Sequence, residues 1–370
     1  MKNRKFLILM TVVMALALVL AGCGGKKEEP KKDAPKAAEK IKVAFVYVGP
    51  VGDGGWSYAH DQARKYLESK MPDVQTVFVE SVPEGADSER VITQLVEQGA
   101  KIVFTTSFGY MDSTINVAKK YPNVTFMHCS GFKTAPNVGT YFGRMYQARY
   151  LSGIVAGKQT KSNVIGYVAA FPIPEVVRGI NAFTVGVRSV NPQAKVKVIW
   201  TNTWYDPAKE KQAAMSLLDA GADVITQHQD TPGPMQAAQE KGKFGIGYNS
   251  DMSKMAPKAV MTSPVWNWGP FYVKVVESVK NKTWKNEQYW GSLKENAVDL
   301  APFGPMVPDE TKKLVADAKK KIVDGSWDVF WGPVKDQTGA VKIAAGQKMS
   351  DADMLSFNWF VEGVDGTISK

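Results

Sequence analysis

KVAFVYVGPVGDGGWSYAH, residues 42–60, is an apolar run that breaks into glycines and resumes as a helical pattern. Val43, Ala44, Phe45, Val46, Tyr47 and Val48 form a near-continuous apolar stretch, the signature of a strand covered on both faces. Gly52, Gly54 and Gly55 let the chain turn sharply after it, and the helix that follows runs to Met71 and Pro72, where proline stops it. In an open α/β sheet, ligands sit outside the carboxyl ends of such strands, where loop N-H groups and helix N-termini point. The glycine spacing is neither G-x-G-x-x-G nor G-x-x-x-x-G-K-[ST], so neither a dinucleotide nor a P-loop fingerprint is present. Trp56 opens the helix, and two readings of it stay open: a flat platform for a ligand, or a core residue stapling helix to sheet.

Upstream, Lys2, Arg4 and Lys5 precede an apolar run over 6–20 that ends in Leu20-Ala21-Gly22-Cys23. The run is too short and too early for a membrane span and reads as a targeting segment, residues 1–22, with a small-residue cleavage site like a bacterial lipobox. Cys23 is then the lipidation residue. Residues 24–40, GGKKEEPKKDAPKAAEK, carry no large apolar side chain and read with Cys23 as a solvated tether. The remaining roughly 330 residues are enough for two domains, each with its own core. Loss of Lys2, Arg4 and Lys5 takes the formal charge from +10 to +7, spread along the chain, and runs such as Lys319 to Lys321 read as a solvated helix face. Nucleic-acid binding is not implied. Of two cysteines only Cys129 would remain free, so no internal disulfide is expected, and its apolar setting makes it a small core residue.

The chain repeats itself. KVAFVYV (42–48) has a counterpart in NVIGYVA (163–169), LVEQGAKIVF (95–104) in LLDAGADVIT (217–226), and PNVTFMH (122–128) in GKFGIGY (242–248). The three pairs keep the same order and an offset of about 120 residues, which implies two similar lobes rather than a solenoid of short units. Helices are expected over 88–98, 111–120 and 206–220, the last with Pro207 at its first position. Alternating strand and helix gives parallel, right-handed βαβ units, so each lobe is a small doubly wound, Rossmann-like sheet. An amphipathic run over 145–158 is expected to close the first lobe, 270–280 to return to it, and 309–324 to lie in the second. The boundaries that follow are 41–155 plus about 260–298 for lobe 1, and 156–259 plus about 299–370 for lobe 2. Several crossings make a hinge with a cleft between the lobes.

If both sheets point their carboxyl ends inward, the cleft residues are Asp53, Trp56, Ser57, Phe108 and Asp112 from lobe 1, and Trp204, Asp230, Asn249 and Asp251 from lobe 2. The crossover adds Trp266. Aromatic rings on opposite lobes suit a planar ring, each face contributing roughly 1–3 kcal/mol by stacking, and the Asp and Asn side chains suit the edge of a nitrogen-rich heterocycle. Core packing competes for Trp266, and a cap or turn role for Asp112, Asp230 and Asp251. No zinc spacing, G-x-S-x-G elbow or acid/base pair appears, so neither a metal, a cofactor nor an enzyme is expected. For His228 a ligand contact and a solvated or backbone-bonded loop position are both open.

The lipobox, G-P-V-G-D-G-G-W, Q-G-A-K-I-V-F-T-T-S-F, T-N-T-W-Y-D-P and G-I-G-Y-N-S-D together resemble the basic membrane protein (BMP) family of substrate-binding lipoproteins, over essentially the whole mature chain. The resemblance implies a type I periplasmic-binding-protein fold that delivers its ligand to an ABC permease, as a monomer anchored by its lipid on the extracytoplasmic face of the cell membrane. It assigns Trp56 and Trp204 to the two faces of a base and matches Asp112 to an acid of the family motif. Nucleoside-binding relatives resemble V-D-S-D where this chain has Tyr248-Asn249-Ser250-Asp251, with the first Asp on ribose hydroxyls. Here Asn249 replaces it, and the lysine expected after the Thr262-Ser263 pair is absent while Trp266 stands nearby. The implied ligand is a free purine base, adenine-like, with a purine nucleoside or another small molecule as the alternative; a nucleoside-processing enzyme and a ligand-free surface lipoprotein are the more distant ones.

Overall fold

The computed structural model describes residues 40–368. The leader 1–22, Cys23 and the tether as far as residue 39 lie outside the described residues. β1 (Ile41–Val46) leads through the glycine turn into α1 (Trp56–Lys70), β2 (Val74–Val79), α2 (Ala86–Glu97), β3 (Ile102–Thr105), α3 (Met111–Lys120), β4 (Thr125–Cys129) and β5 (Val138–Gly143). After α4 (Met145–Gln159) the alternation repeats with β6 (Val164–Ala169), α5 (Pro174–Val190), β7 (Lys195–Trp200), α6 (Pro207–Asp219), β8 (Val224–His228), α7 (Gly233–Glu240), β9 (Phe244–Ile246) and β10 (Val260–Thr262). Asp206 caps α6, accepting from the Lys209 N-H at 3.0 Å, with Pro207 at the first helical position. The chain then crosses through β11 (Pro264–Trp266), α8 (Trp268–Lys280), β12 (Gln288–Gly291), β13 (Val298–Leu300) and α9 (Asp309–Val323). A tail follows with β14 (Val334–Lys335), β15 (Val341–Ile343), α10 (Asp351–Leu355) and β16 (Val364–Asp365).

Two six-stranded parallel sheets result. The first has the order β2-β1-β3-β4-β5-β12 and the second β16-β7-β6-β8-β9-β10. The repeated sequence pairs therefore fall on equivalent strands: β1 with β6, β3 with β8, β4 with β9. Each sheet reverses direction between its first and third strands, the topological switch point at which doubly wound sheets bind ligands.

The lobes are joined where β5 passes into α4, through β11, and between β12 and β13; β11 and β13 pair antiparallel, Val265 opposite Asp299. The run 145–158 reads as amphipathic and as the end of the first lobe. In the fold Met145 through Gly157 are all buried, and α4 lies along α5 with α9 on its other side. The two helices meet at glycines: a Cβ on Gly153 would lie 2.2 Å from Phe183 O, and one on Gly186 2.1 Å from Tyr150 O. A helix buried on all sides has no solvent face, which is why its periodicity misleads. β10, drawn near the start of the returning segment, pairs with β9 and so extends the second sheet.

The first core is aromatic. Phe45 and Phe104 stack at 4.9 Å, and Tyr272 of α8 tilts against both. All three are fully buried, and Phe104→Ala would cost about 3–5 kcal/mol. Cys129 is buried among them, its thiol pushed up by desolvation and held protonated. The tail secures the hinge: Asp351 accepts two bonds from Arg144 at 2.8 and 2.7 Å, and Arg178 donates to Met354 O at 2.7 Å.

Candidate functional site

The carboxyl ends of β1, β3 and β4 face those of β6, β7, β8 and β9 across one pocket. The first lobe contributes Trp56 and Phe108, with Ser107 and Ser130 beside them. Trp56 is held by its own donor: Nε1 donates to Thr106 O at 2.6 Å. Its ring meets His60, Trp266 and Trp268 edge-on, at 4.4, 5.7 and 6.4 Å. The two readings of Trp56 thus coexist, because the residue is packed on its edges and still lines the cavity.

The second lobe brings Trp204, Asp230 and Asn249. Trp204 is half-buried, its ring 5.1 Å from Phe171 and 6.4 Å from His228. Asn249 adopts a φ of +69°, a conformation asparagine tolerates better than most side chains. Its Oδ1 accepts from Trp266 Nε1 at 2.8 Å. Trp266 itself stands behind the cavity wall, stacked on Trp268 at 4.5 Å, so its contribution to the cavity runs through Asn249.

Four residues expected at the cleft do other work. Asp53 is buried, with Oδ1 accepting from the Gly55 and Tyr58 N-H groups and Oδ2 from Ser57, so it caps α1 and positions Trp56. Burial raises its carboxyl to about 6 against the pull of those donors. Ser57 accepts from the Gly49 N-H at 3.1 Å and fixes the same turn. Asp112 points to solvent and pairs with Lys133 at 2.5 Å, which holds it below the usual carboxylate range. Asp251 is exposed and closes a turn by accepting from Ser253 N-H at 2.9 Å. Asp230, for which a capping role was open, makes no cap bond: α7 starts at Gly233 without one.

Electrostatically the second lobe is unusual. Asp230 is 4% exposed; its Oδ1 is 3.5 Å from Asn249 Nδ2 and its Oδ2 has no partner. Glu175, at the start of α5, approaches His228 Nε2 at 3.4 Å. Burial lowers the imidazole to about 4 despite that carboxylate, so His228 is neutral. Arg149 of α4 lies 3.5 Å over the Tyr248 ring and donates to Gln227 O at 2.7 Å. Among the described residues no group of three His, Cys, Asp or Glu side chains could hold a metal ion. Rings on two sides and a few polar groups between them are suited to holding a flat molecule.

The sequence model of the Bmp family, described as ABC transporter substrate-binding protein PnrA-like, matches residues 40–327. A purine-binding protein of Brucella abortus (strain 2308) is 47% identical over 338 residues, 91% of this chain and 96% of that one. The chain belongs to the Bmp family of ABC transporter substrate-binding proteins. A Haloferax volcanii protein, provisionally named an ABC transporter glucose-binding protein, is 40% identical over 344 residues, 93% of this chain and 85% of that one. The structure of an ABC transporter solute-binding protein from Aeropyrum pernix K1 superposes with a TM-score of 0.69 at 19% identity, covering 80% and 93% of the two chains. That likeness carries the type I periplasmic-binding-protein fold.

Bmp proteins and these relatives are solute-binding proteins, not enzymes. As ABC substrate-binding proteins they work on the extracytoplasmic side. Among the described residues of this Bmp chain no helix is long and apolar enough to cross a membrane. Glu175, Tyr248 and Ser130 also line the cavity and were missed in the sequence. Glu175 follows Pro174 at a helix start, where an acid is ordinary, and only the closing of the lobes turns it inward. Tyr248 ends the strand expected before Asn249, and its place next to Asn249 was the one available signal.

Proposed function

We propose that this protein is the lipid-anchored binding component of an ABC importer, attached through Cys23, and that its ligand is a free purine base, adenine-like. The base lies between Trp56 and Phe108 of one lobe and Trp204 of the other and is handed to the permease by a monomer. The observation that carries this reading is the convergence of these rings on one pocket between the lobes, aromatic walls with a few polar groups being the usual lining of a small-molecule site. Asn249, which stands where the resemblance puts a ribose-binding Asp in nucleoside-binding relatives, is engaged by the Trp266 indole, which favours the base over the nucleoside. The name of the Brucella relative supports a purine ligand.

Closure would drive selection: a ligand bound to one lobe gains contacts to the other, and its differential affinity for the closed form sets the shift. Ser250 Oγ already donates to Gly54 O across the lobes. Glucose is the second reading, because of the Haloferax relative's name and because sugars also stack on aromatic rings. The test is native mass spectrometry of the purified protein before and after denaturation, then calorimetric titration with adenine, adenosine, guanine, guanosine and glucose. Tight adenine binding with clear loss for adenosine is expected; tighter nucleosides, or glucose alone, would overturn the ligand assignment. A lipid-sized mass on Cys23 in membrane-extracted protein, absent in Cys23→Ala, checks the anchor.

A further inference from the structure

Asp230 and Glu175 are the cavity carboxyls with an oxygen that no protein group reaches, but Glu175 has His228 Nε2 at 3.4 Å and the Arg178 guanidinium beside it, whereas the charged groups that act on Asp230 are all acids. Asp230 leaves β8 into the cleft, and its backbone oxygen lies 2.4 Å from where a Cβ on Gly55 would stand, so it sits against the N-terminal turn of α1 in the other lobe. The groups facing it are acids: Asp53 from that turn, Glu210 from α6 and Glu175 from α5. His228, two residues away on β8, is neutral. Buried Arg149 donates through one nitrogen to Gln227 O and lies over the Tyr248 ring, with Nε and Nη2 unpartnered, and it is not among the charges that act on Asp230.

Of these acids, Asp53 and Glu210 have their oxygens filled; Glu175 has one oxygen without a partner and the other 3.4 Å from His228 Nε2, but Arg178 beside it supplies a positive charge that Asp230 lacks. Asp53 accepts three backbone N-H groups. Glu210 accepts from Asp206 N-H at 2.9 Å and from the Thr231 N-H and hydroxyl. Donors of this kind stabilise the anion. Asp230 has a single 3.5 Å approach from Asn249 Nδ2. When buried carboxyls are crowded, the proton settles on the one that the fewest donors serve. Burial and the neighbouring charges act on Asp230 in the same sense, raising its carboxyl well above the usual range.

A neutral carboxylic acid offers one O-H donor beside one acceptor oxygen, whereas a carboxylate offers acceptors only. We propose that Asp230 is the specificity-determining residue of the cavity: it binds as the protonated acid and reads a ring edge that sets a hydrogen-bond donor beside an acceptor. Adenine presents that pattern at its 6-amino group and N7. The inference rests on the purine reading above and goes further, since it fixes which protonation state of the protein is competent and makes affinity depend on pH. Binding then takes up or retains one proton at Asp230.

The test is calorimetric titration of adenine into the full chain at pH 6, 7, 8 and 8.5, in buffers of different ionisation enthalpy. The wild type is expected to bind at least tenfold more weakly at pH 8.5 than at pH 6, and at the higher pH values to take up close to one proton per adenine bound. Asp230→Asn, whose amide also sets a donor beside an acceptor, should bind with one affinity across the range, and Asp230→Leu should lose at least tenfold at pH 6. A pH-independent wild type with no proton uptake overturns the inference while leaving the purine reading intact, and so does Asp230→Leu binding as tightly as wild type. If the wild type binds no purine at any pH, the ligand reading falls and takes this inference with it. Should either variant fail to fold, the wild-type pH profile and proton count decide alone.

Discussion

Gly55→Ala isolates the closing of the two lobes from everything else the cavity does. A Cβ built on Gly55 would lie 2.4 Å from Asp230 O, 2.9 Å from its carbonyl carbon and 3.1 Å from its Cα. These are backbone atoms of the opposite lobe, so no rotamer change can relieve the contact and the lobes themselves must part. Overpacking of this kind costs about 1–3 kcal/mol, and here the cost falls on the closed form alone, since the methyl faces solvent once the cleft opens. At 1.4 kcal/mol per factor of ten, the ligand should bind about 5- to 150-fold more weakly, because it must now supply the extra free energy of closure. Calorimetric titration gives the affinity, and small-angle scattering with saturating ligand gives the closure. The thermal midpoint of the ligand-free variant should stay near that of the wild type. An unchanged affinity together with an unchanged closed-state scattering profile would refute the reasoning, because it would mean that Gly55 and Asp230 do not meet when ligand is bound.

Trp204→Ala removes one stacking face and should weaken adenine by about 1–3 kcal/mol, about 5- to 150-fold; calorimetry checks it, and unchanged affinity would remove Trp204 from the site. Trp266→Ala frees Asn249 and opens space behind the cavity wall, so adenosine should gain on adenine in a competition titration, at a stability cost of about 3–5 kcal/mol. His60 is fully buried, and desolvation lowers it to about 3 from an ordinary 6.5. The unfolded chain therefore binds the extra proton as pH falls below 6.5, and native stability declines through that window. His60→Phe should lose about 2 kcal/mol less than wild type between pH 7 and pH 5 in urea titrations; subtracting the variant's change from the wild type's cancels the buried acids, which act with the opposite sign.

The two-lobed architecture was legible because its evidence is local and doubled. A covered strand needs a continuous apolar run, a crossover helix needs its stop signals, and each recurs about 120 residues on in the same order. The same locality explains why α4 misled: Met145 through Gly157 carry mixed side chains whose burial comes from α5 and α9, elements far along the chain. Glycines at 153 and 186 were the available sign of a close helix crossing, but a glycine in a helix has no meaning until its neighbour is known.

At the cleft the limit is of a different kind. Position after a strand was enough to bring Trp56, Phe108, Trp204, Asp230 and Asn249 to one cavity. It could not separate them from Asp112 and Asp251, which also follow strands but point to solvent. Whether a carboxylate turns inward depends on what would desolvate it and which donors could compensate. Asp112 has Lys133 within reach at the surface, so it remains there as an ion. Asp53 has three backbone donors, so it can be buried and partly charged while it caps the helix that carries Trp56. Asp230 has almost none and is buried all the same, between two lobes that must come together for it to be so. A group in that position destabilises the empty closed form, and a ligand edge with a matching donor and acceptor removes the penalty. Closure without ligand is thereby disfavoured by the same side chain that rewards the right one, which is what a transporter needs from a receptor whose closed surface signals that it is loaded.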